Sequence, residues 1–253
     1  LFTLRPFVKV LSSSYQQYLK YGIKIRYEEW LDEMFNNREA TTQTPSFWKR
    51  SAVCEVLTRW VEVFGANSIT VILADENKPD FIFDEFSRIL KLPEGVLSAL
   101  EVSGNRSMSA EEVELLYQIN TRFERARGWD EYRVMIREGY LDELSNHSSV
   151  SQQSSRLLTP EWAAKRAIEI SRQDLETMSE LGITVRGDQA SFLNAHVAMG
   201  SNSVMESIDI DSVASFLLSY NFSMLRRFPQ DVLVREITRR VVRATKRKIK
   251  GVK

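Results

Sequence analysis

The chain has 253 residues, enough for one large domain or a domain with a smaller companion. Hydrophobic residues make up 43% and charged residues 27%, an ordinary globular balance, and no apolar run reaches the roughly 18 residues that a membrane span needs. A single cysteine excludes an internal disulfide and a cysteine metal cluster, and only 10 Gly and 6 Pro favour long helices over a many-stranded sandwich. Net charge is zero but unevenly placed. Residues 226–253 carry 11 Lys/Arg against Asp231 and Glu236, a balance of +9 that leaves −9 for residues 1–225.

Leu1–Leu4 reads as a strand running into a turn at Arg5-Pro6. No initiator Met, basic leader or cleavage signal precedes it, and a chain that opens in mid-strand is expected to be truncated. Pro6 suits the start of a helix, where its missing N–H costs nothing. Val8, Leu11, Tyr15, Tyr18 and Leu19 then give that helix one apolar face, with Gly22 at its end. A short helix follows at Tyr27–Phe35, then a loop over Asn36–Pro45. A single longer helix is expected over Phe47–Phe64.

Ser68–Asp75 is β-branched and nearly continuous, as expected of a buried parallel strand. The next helix is expected over about Phe81–Leu90 with Phe83, Phe86, Ile89 and Leu90 inward, and Pro93-Glu94-Gly95 breaks it. Ser109 and Glu112 form a capping box for a helix carrying Val113, Leu116, Tyr117, Ile119, Asn120 and Phe123. A further helix covers about Asp130–Leu144, and the Ser-rich run 145–155 reads as a linker. Thr159-Pro160-Glu161 starts a strong helix with Thr159 as its cap, and Gly182–Gly187 holds a short strand. Residues 189–211 are ambiguous, and Asp211 or Ser212 is expected to begin another helix.

Cys54, in a helical pattern, reads as a buried inert thiol. His147 and His196 are too far from other ligands in sequence to suggest a metal set. The tryptophans at 30, 48, 60, 129 and 162 all fall at helical positions and read as core anchors.

Thr3-Leu4-Arg5-Pro6 through Ser13 carries the clearest chemistry. It sets an Arg at the carboxyl end of a strand and a Ser eight residues on, two turns into the next helix. Ligands of α/β sheets gather beyond the carboxyl ends of the strands, and a guanidinium fork with a hydroxyl suits a phosphate. The alternative is an Arg paired with a surface carboxylate and a Ser that is an ordinary helix residue.

Arg5-Pro6 with Ser13 resembles the 3′-phosphate signature of sulfotransferases that use 3′-phosphoadenosine 5′-phosphosulfate. Tyr27-Glu28-Glu29-Trp30-Leu31, Thr44–Trp48, Trp60–Asp75, Asn105-Arg106-Ser107 with Glu112–Asn120, and Thr159–Gly187 follow in order the pattern of actinobacterial-type sulfotransferase-like proteins. The resemblance covers roughly residues 1–190. It implies the carboxy-terminal part of an α/β, helix-rich, P-loop-type sulfotransferase fold, with few parallel strands flanked by helices. It also implies a sulfuryl donor nucleotide and a carbohydrate or similar hydroxyl or amine acceptor. Arg5, Ser13, Asn105, Arg106 and Ser107 would bind the donor, with no metal, and Asn105–Ser107 has the alternative of being a plain polar turn.

The family's Gly- and Thr-rich loop for the 5′-phosphosulfate has no match here. Gly182–Gly187 has phosphate-loop spacing, but Asp188-Gln189 stands where Lys-Ser/Thr should. The catalytic base, which the family places between its phosphate motifs, is expected to be missing as well. This chain alone is therefore expected to be inactive.

The expected organisation is 1–144 for the sulfotransferase-like part, 145–157 for the linker, 158–225 for a helical and short-strand subdomain, and 226–253 for a basic helical tail. In that tail Val232, Leu233, Ile237, Val241, Ala244, Thr245 and Ile249 lie roughly along one stripe. With no aromatic ring in its last 25 residues, it suits an anionic membrane surface or a protein partner better than nucleic acid. The rival to a cytoplasmic enzyme is thus a non-catalytic module docking through this tail to a membrane or cell-envelope assembly; the other reading of the tail is a solvated terminal helix.

Overall fold

A computed structural model describes residues 1–38, 43–93, 95–98, 107–124, 128–140, 156–203, 205, 207, 210, 213, 214, 217 and 230–250. The chain forms two compact units, Leu1–Thr121 with Gln153–Glu206, and Arg122–Gln152 with Ser207–Lys253.

The first unit is built on a parallel sheet of β1 (Phe2–Leu4), β2 (Thr70–Leu73) and β3 (Thr184–Arg186), in the order β1-β2-β3. Phe2 lies opposite Val71, and Thr70 opposite Thr184. The middle strand is the one whose sequence is apolar on both faces, and Val71, Ile72 and Leu73 are all buried. The expected fold class holds at this level: helix-rich α/β, with few parallel strands flanked by helices.

Around the sheet lie α1 (Phe7–Lys20), α2 (Tyr27–Asn36), α3 (Phe47–Ser51), α4 (Val53–Phe64), α5 (Phe81–Leu90), α6 (Ala110–Arg122), α8 (Glu161–Glu180) and α9 (Gln189–Leu193). One core joins Leu4, Val71 and Leu73 of the sheet to Val53 and Leu57 of α4, Leu175 and Met178 of α8, and Phe192 of α9. The segment expected as a separate subdomain from residue 158 therefore does not stand apart: α8 and β3 complete this layer.

Aromatic rings make a second cluster. Phe7 touches Phe47 at 6.0 Å and Trp48 at 5.6 Å between ring centres, and Trp30 meets Phe47 edge-on at 5.3 Å. Trp30 is fully buried, and its indole N–H donates to Thr44 Oγ1 at 3.0 Å, which a buried indole requires. Trp60, Trp129 and Trp162, by contrast, are exposed rather than core anchors. Trp60 and Trp162 make T-shaped contacts with Phe2 and Phe35, at 6.1 and 5.8 Å between ring centres.

The helix expected over Phe47–Phe64 is two helices broken at Ala52, with φ −79° and ψ 72°. The cause is divided allegiance. Phe47 and Trp48 pack into the aromatic cluster, whereas Val53 and Leu57 pack onto the sheet. Thr159 does not cap α8 either. Pro160 is the N-cap residue, and the Thr159 hydroxyl pairs with the buried Tyr27 hydroxyl at 3.1 Å, a partner that the phenol needs. On α5 the buried residue is Ser87, and Leu90 is exposed. Lys91 turns left-handed behind it, and the returning chain donates Leu92 N–H to Ser87 O at 2.8 Å. The capping box forms as expected: Ser109 N–H donates to Glu112 Oε2 at 2.8 Å and Glu112 N–H to Ser109 Oγ at 3.2 Å.

In the second unit α7 (Gly128–Tyr132) runs into a π-helical stretch, Arg133–Tyr140, and Tyr132 is buried beside Phe123 and Trp129. The unit also holds α10 (Gln230–Lys250). The linker expected at 145–155, His147 and the helix start expected at Asp211 or Ser212 lie outside the described residues.

Candidate anion site at the carboxyl edge of the sheet

β1 and β2 are parallel neighbours, so the residues after Leu4 and after Leu73 emerge side by side. Ala74 N–H donates to Leu4 O at 2.8 Å and carries the pairing one step beyond the strands. That step sets Arg5 against the Asp75-Glu76 turn. At this edge Lys9 Nζ donates to Glu76 Oε2 at 2.8 Å, and the Arg5 guanidinium stands 3.9 Å from Glu76 Oε1.

The two contacts differ in kind. The Lys9 pair is a hydrogen-bonded ion pair with the lysine largely covered, whereas 3.9 Å is too long for a hydrogen bond. The guanidinium is half exposed and makes no hydrogen bond among the described residues. It attracts the Glu76 carboxylate without a hydrogen bond to it.

Ser13 lies one turn beyond Lys9 on the same flank of α1. Its hydroxyl is bonded back to its own helix, 3.1 Å from both Lys9 O and Val10 O. Donating to a ligand would need a rotation about χ1, a cheap change for a half-buried Ser. Arg5, Lys9 and Ser13 thus recur every four residues from the strand end along the helix. Lys9 was not picked out from the sequence, although that spacing was the signal for it.

Among the loop residues expected to contact the nucleotide, Asn105 and Arg106 lie outside the described residues. Ser107 is exposed. The residue after it is pinned, because Met108 N–H donates to the buried Gln16 Oε1 at 2.8 Å. Gln16 is three residues past Ser13, so the loop's carboxyl end is tied to α1 just beyond that hydroxyl.

Gly187 closes the edge on the other side. A Cβ there would lie 3.0 Å from Leu73 Cβ and 3.1 Å from Leu73 O, and its φ of 112° also favours glycine. Asp188 then caps α9, with Oδ1 accepting from Ala190 N–H at 2.9 Å and Ser191 N–H at 3.2 Å. Those hydrogen bonds hold its carboxyl below the usual range. A carboxylate cap in a tight strand-to-helix turn is a structural feature, which agrees with setting Gly182–Gly187 aside as a phosphate loop.

A cavity of about 210 Å³ is lined from α1, α2 and α6 together with Leu157 and Asn202. Its polar wall is the Arg26–Glu114 pair, bidentate at 2.5 and 3.0 Å, with Arg26 stacked 4.4 Å over the Tyr117 ring. Burial pushes the Glu114 carboxyl up, but hydrogen bonds from Arg26 and Gln118 outweigh it, and the net shift is downward. The same pair raises Arg26. This constellation was not visible in the sequence, since the two residues are 88 apart.

Cys54 is half buried, and burial, reinforced by neighbouring Asp174, pushes its thiol up to about 12. A thiol so protonated is a poor nucleophile. His196 is exposed, and no group of three metal-ligating side chains occurs among the described residues. Nor is any helix among them long and apolar enough to cross a membrane. No protein-family model, no curated protein and no solved structure matches the chain.

Proposed function

We propose that this chain carries the 3′-phosphate site of a sulfuryl-transfer protein, with Arg5, Lys9 and Ser13 holding the 3′-phosphate of 3′-phosphoadenosine 5′-phosphosulfate. The observation behind this reading is that an oxyanion already rests there. The Glu76 carboxylate sits on Lys9 at 2.8 Å and faces Arg5 at 3.9 Å, beyond the carboxyl ends of two parallel strands. Such exposed ion pairs are worth about 0–1 kcal/mol each. A dianionic phosphate making a bidentate contact with a guanidinium gains more than Glu76 loses. Ser107, next to Met108 whose N–H is tied to α1, would contact the nucleotide, and Asn105 and Arg106 are assigned to it from the resemblance alone.

In the reaction, the sulfur–oxygen bond to the donor's phosphate breaks as the acceptor oxygen or nitrogen forms its bond to sulfur. The acceptor's proton passes to a base, and adenosine 3′,5′-bisphosphate leaves. A carbohydrate-like hydroxyl or an amine is the acceptor proposed. These 253 residues hold no match to a 5′-phosphosulfate loop, so the proposal assigns them the nucleotide's 3′ end and not the chemical step. Calorimetry with adenosine 3′,5′-bisphosphate and AMP tests it. The bisphosphate should bind at least tenfold tighter, because AMP lacks the 3′-phosphate. Equal affinities would refute the reading.

A further inference from the structure

α10 spans 21 residues, roughly 31 Å of helix. Leu233, Val234, Ile237, Val241 and Ala244 recur at helical spacing and form one stripe. The stripe is open: Leu233 is 41% exposed, Val234 62%, Ile237 60% and Val241 58%. Arg235, Arg239 and Arg243 run along the opposite side at four-residue spacing, and Lys246, Arg247, Lys248 and Lys250 follow in the sequence. Glu236 is paired with Arg240 at 3.0 Å, and the helix as a whole carries eight cations against two acids.

We propose that α10 lies flat on an anionic lipid surface, with its stripe at the acyl boundary and its long cations reaching back to the headgroups. A lipid surface satisfies both faces at once. Nucleic acid would take the cations but leave the stripe in water, and residues 230–250 contain no aromatic ring to stack on bases. A second copy would cover the stripe but bring eight cations against eight. The seam would also be short, because Lys248 follows Val241 by seven residues and ends it after about two heptads, fewer than the three or four of a sustained coiled coil. This docking rests on α10 alone and is independent of the nucleotide site.

The full chain is sedimented with vesicles of phosphatidylcholine alone and of phosphatidylcholine mixed with phosphatidylglycerol, at low and at raised salt. Binding to the mixed vesicles should be at least tenfold tighter at low salt and should fall as salt rises. The double variant Arg239→Gln/Arg243→Gln should lose about tenfold. Ile237→Ser/Val241→Ser, which leaves the charge unchanged, should lose severalfold, and this arm separates insertion from mere adhesion. Equal binding to both vesicles, or no effect of the serine pair, overturns the proposal. So does a discrete dimer that fails to bind vesicles, which would give the stripe to a second copy.

Discussion

The Phe7 N–H donates to Ser171 Oγ at 3.0 Å, and both groups are buried. One of the orphan donors at the start of α1 is thus satisfied from α8, directly behind Arg5-Pro6. Ser171→Ala should leave that N–H buried without a partner, at a cost of about 1–3 kcal/mol. Urea denaturation checks the cost. A loss below a few tenths of a kcal/mol would mean that the amide finds another acceptor.

The other end of α1 is held by a side chain. Asn120, fully buried, donates through Nδ2 to Leu19 O at 2.8 Å and to Ile23 O at 3.1 Å. Asn120→Ala should cost about 2–4 kcal/mol, from the loss of two hydrogen bonds to buried carbonyls and a small cavity. Asn120→Asp should be worse, since it sets a carboxylate against those carbonyls. Thermal melts of the three proteins should fall in the order Asn, Ala, Asp.

The Arg26–Glu114 pair makes stability pH-dependent in a definite direction. Glu114 has a folded pKa below its unfolded value, so its contribution is fully present above about pH 4.5 and is lost as pH falls through the folded value. Glu114→Gln removes this dependence. The mutant should lose about 1–3 kcal/mol near neutrality, between the worth of an exposed pair and a buried one, and the gap should narrow on acidification. A gap that stays constant from neutral pH to pH 3 would rule the linkage out.

Much of this architecture was legible from periodicity and capping. The run around Thr70–Leu73 is apolar on both faces because it is the central strand, and Ser109 with Glu112 announced the start of α6. What could not be read was competition between distant groups. Nothing near Ala52 in sequence says that Phe47 and Val53 serve different cores, and Thr159 looks like a cap until Tyr27, 132 residues away, claims its hydroxyl. The candidate site divides along the same line. Arg5 and Ser13 were readable from local spacing, whereas Glu76 reaches Lys9 across 67 residues, through the pairing of β1 with β2.

Glu76 yields a prediction of its own. If it holds the place of a ligand anion, Glu76→Gln should tighten adenosine 3′,5′-bisphosphate binding by about two- to fivefold, the equivalent of one exposed ion pair. Affinity for adenosine itself should not change. If the bisphosphate instead binds less tightly to the variant, Glu76 is orienting Lys9 and not competing for it.

The substitutions at Arg5, Lys9 and Ser13 should rank by the chemistry that each removes. Arg5→Ala deletes a charge-assisted fork worth about 1.5–3 kcal/mol, so the preference for the bisphosphate over AMP should drop tenfold or more. Arg5→Lys should recover only part of it, because an ammonium keeps the charge and loses the fork. Lys9→Ala should cost less than Arg5→Ala, since it removes a competitor's anchor, the Glu76 bond, together with a point charge. Ser13→Ala should cost least, about 0.5–1.5 kcal/mol, because the hydroxyl must first leave Lys9 O and Val10 O before it donates to the phosphate. All four variants should melt close to the parent, since among the described residues Arg5 makes one long contact and Ser13 bonds within its own turn. Competition calorimetry with the two nucleotides reads the whole series. If Ser13→Ala proves as damaging as Arg5→Ala, or if none of the four changes the preference, the nucleotide's 3′ end is held elsewhere.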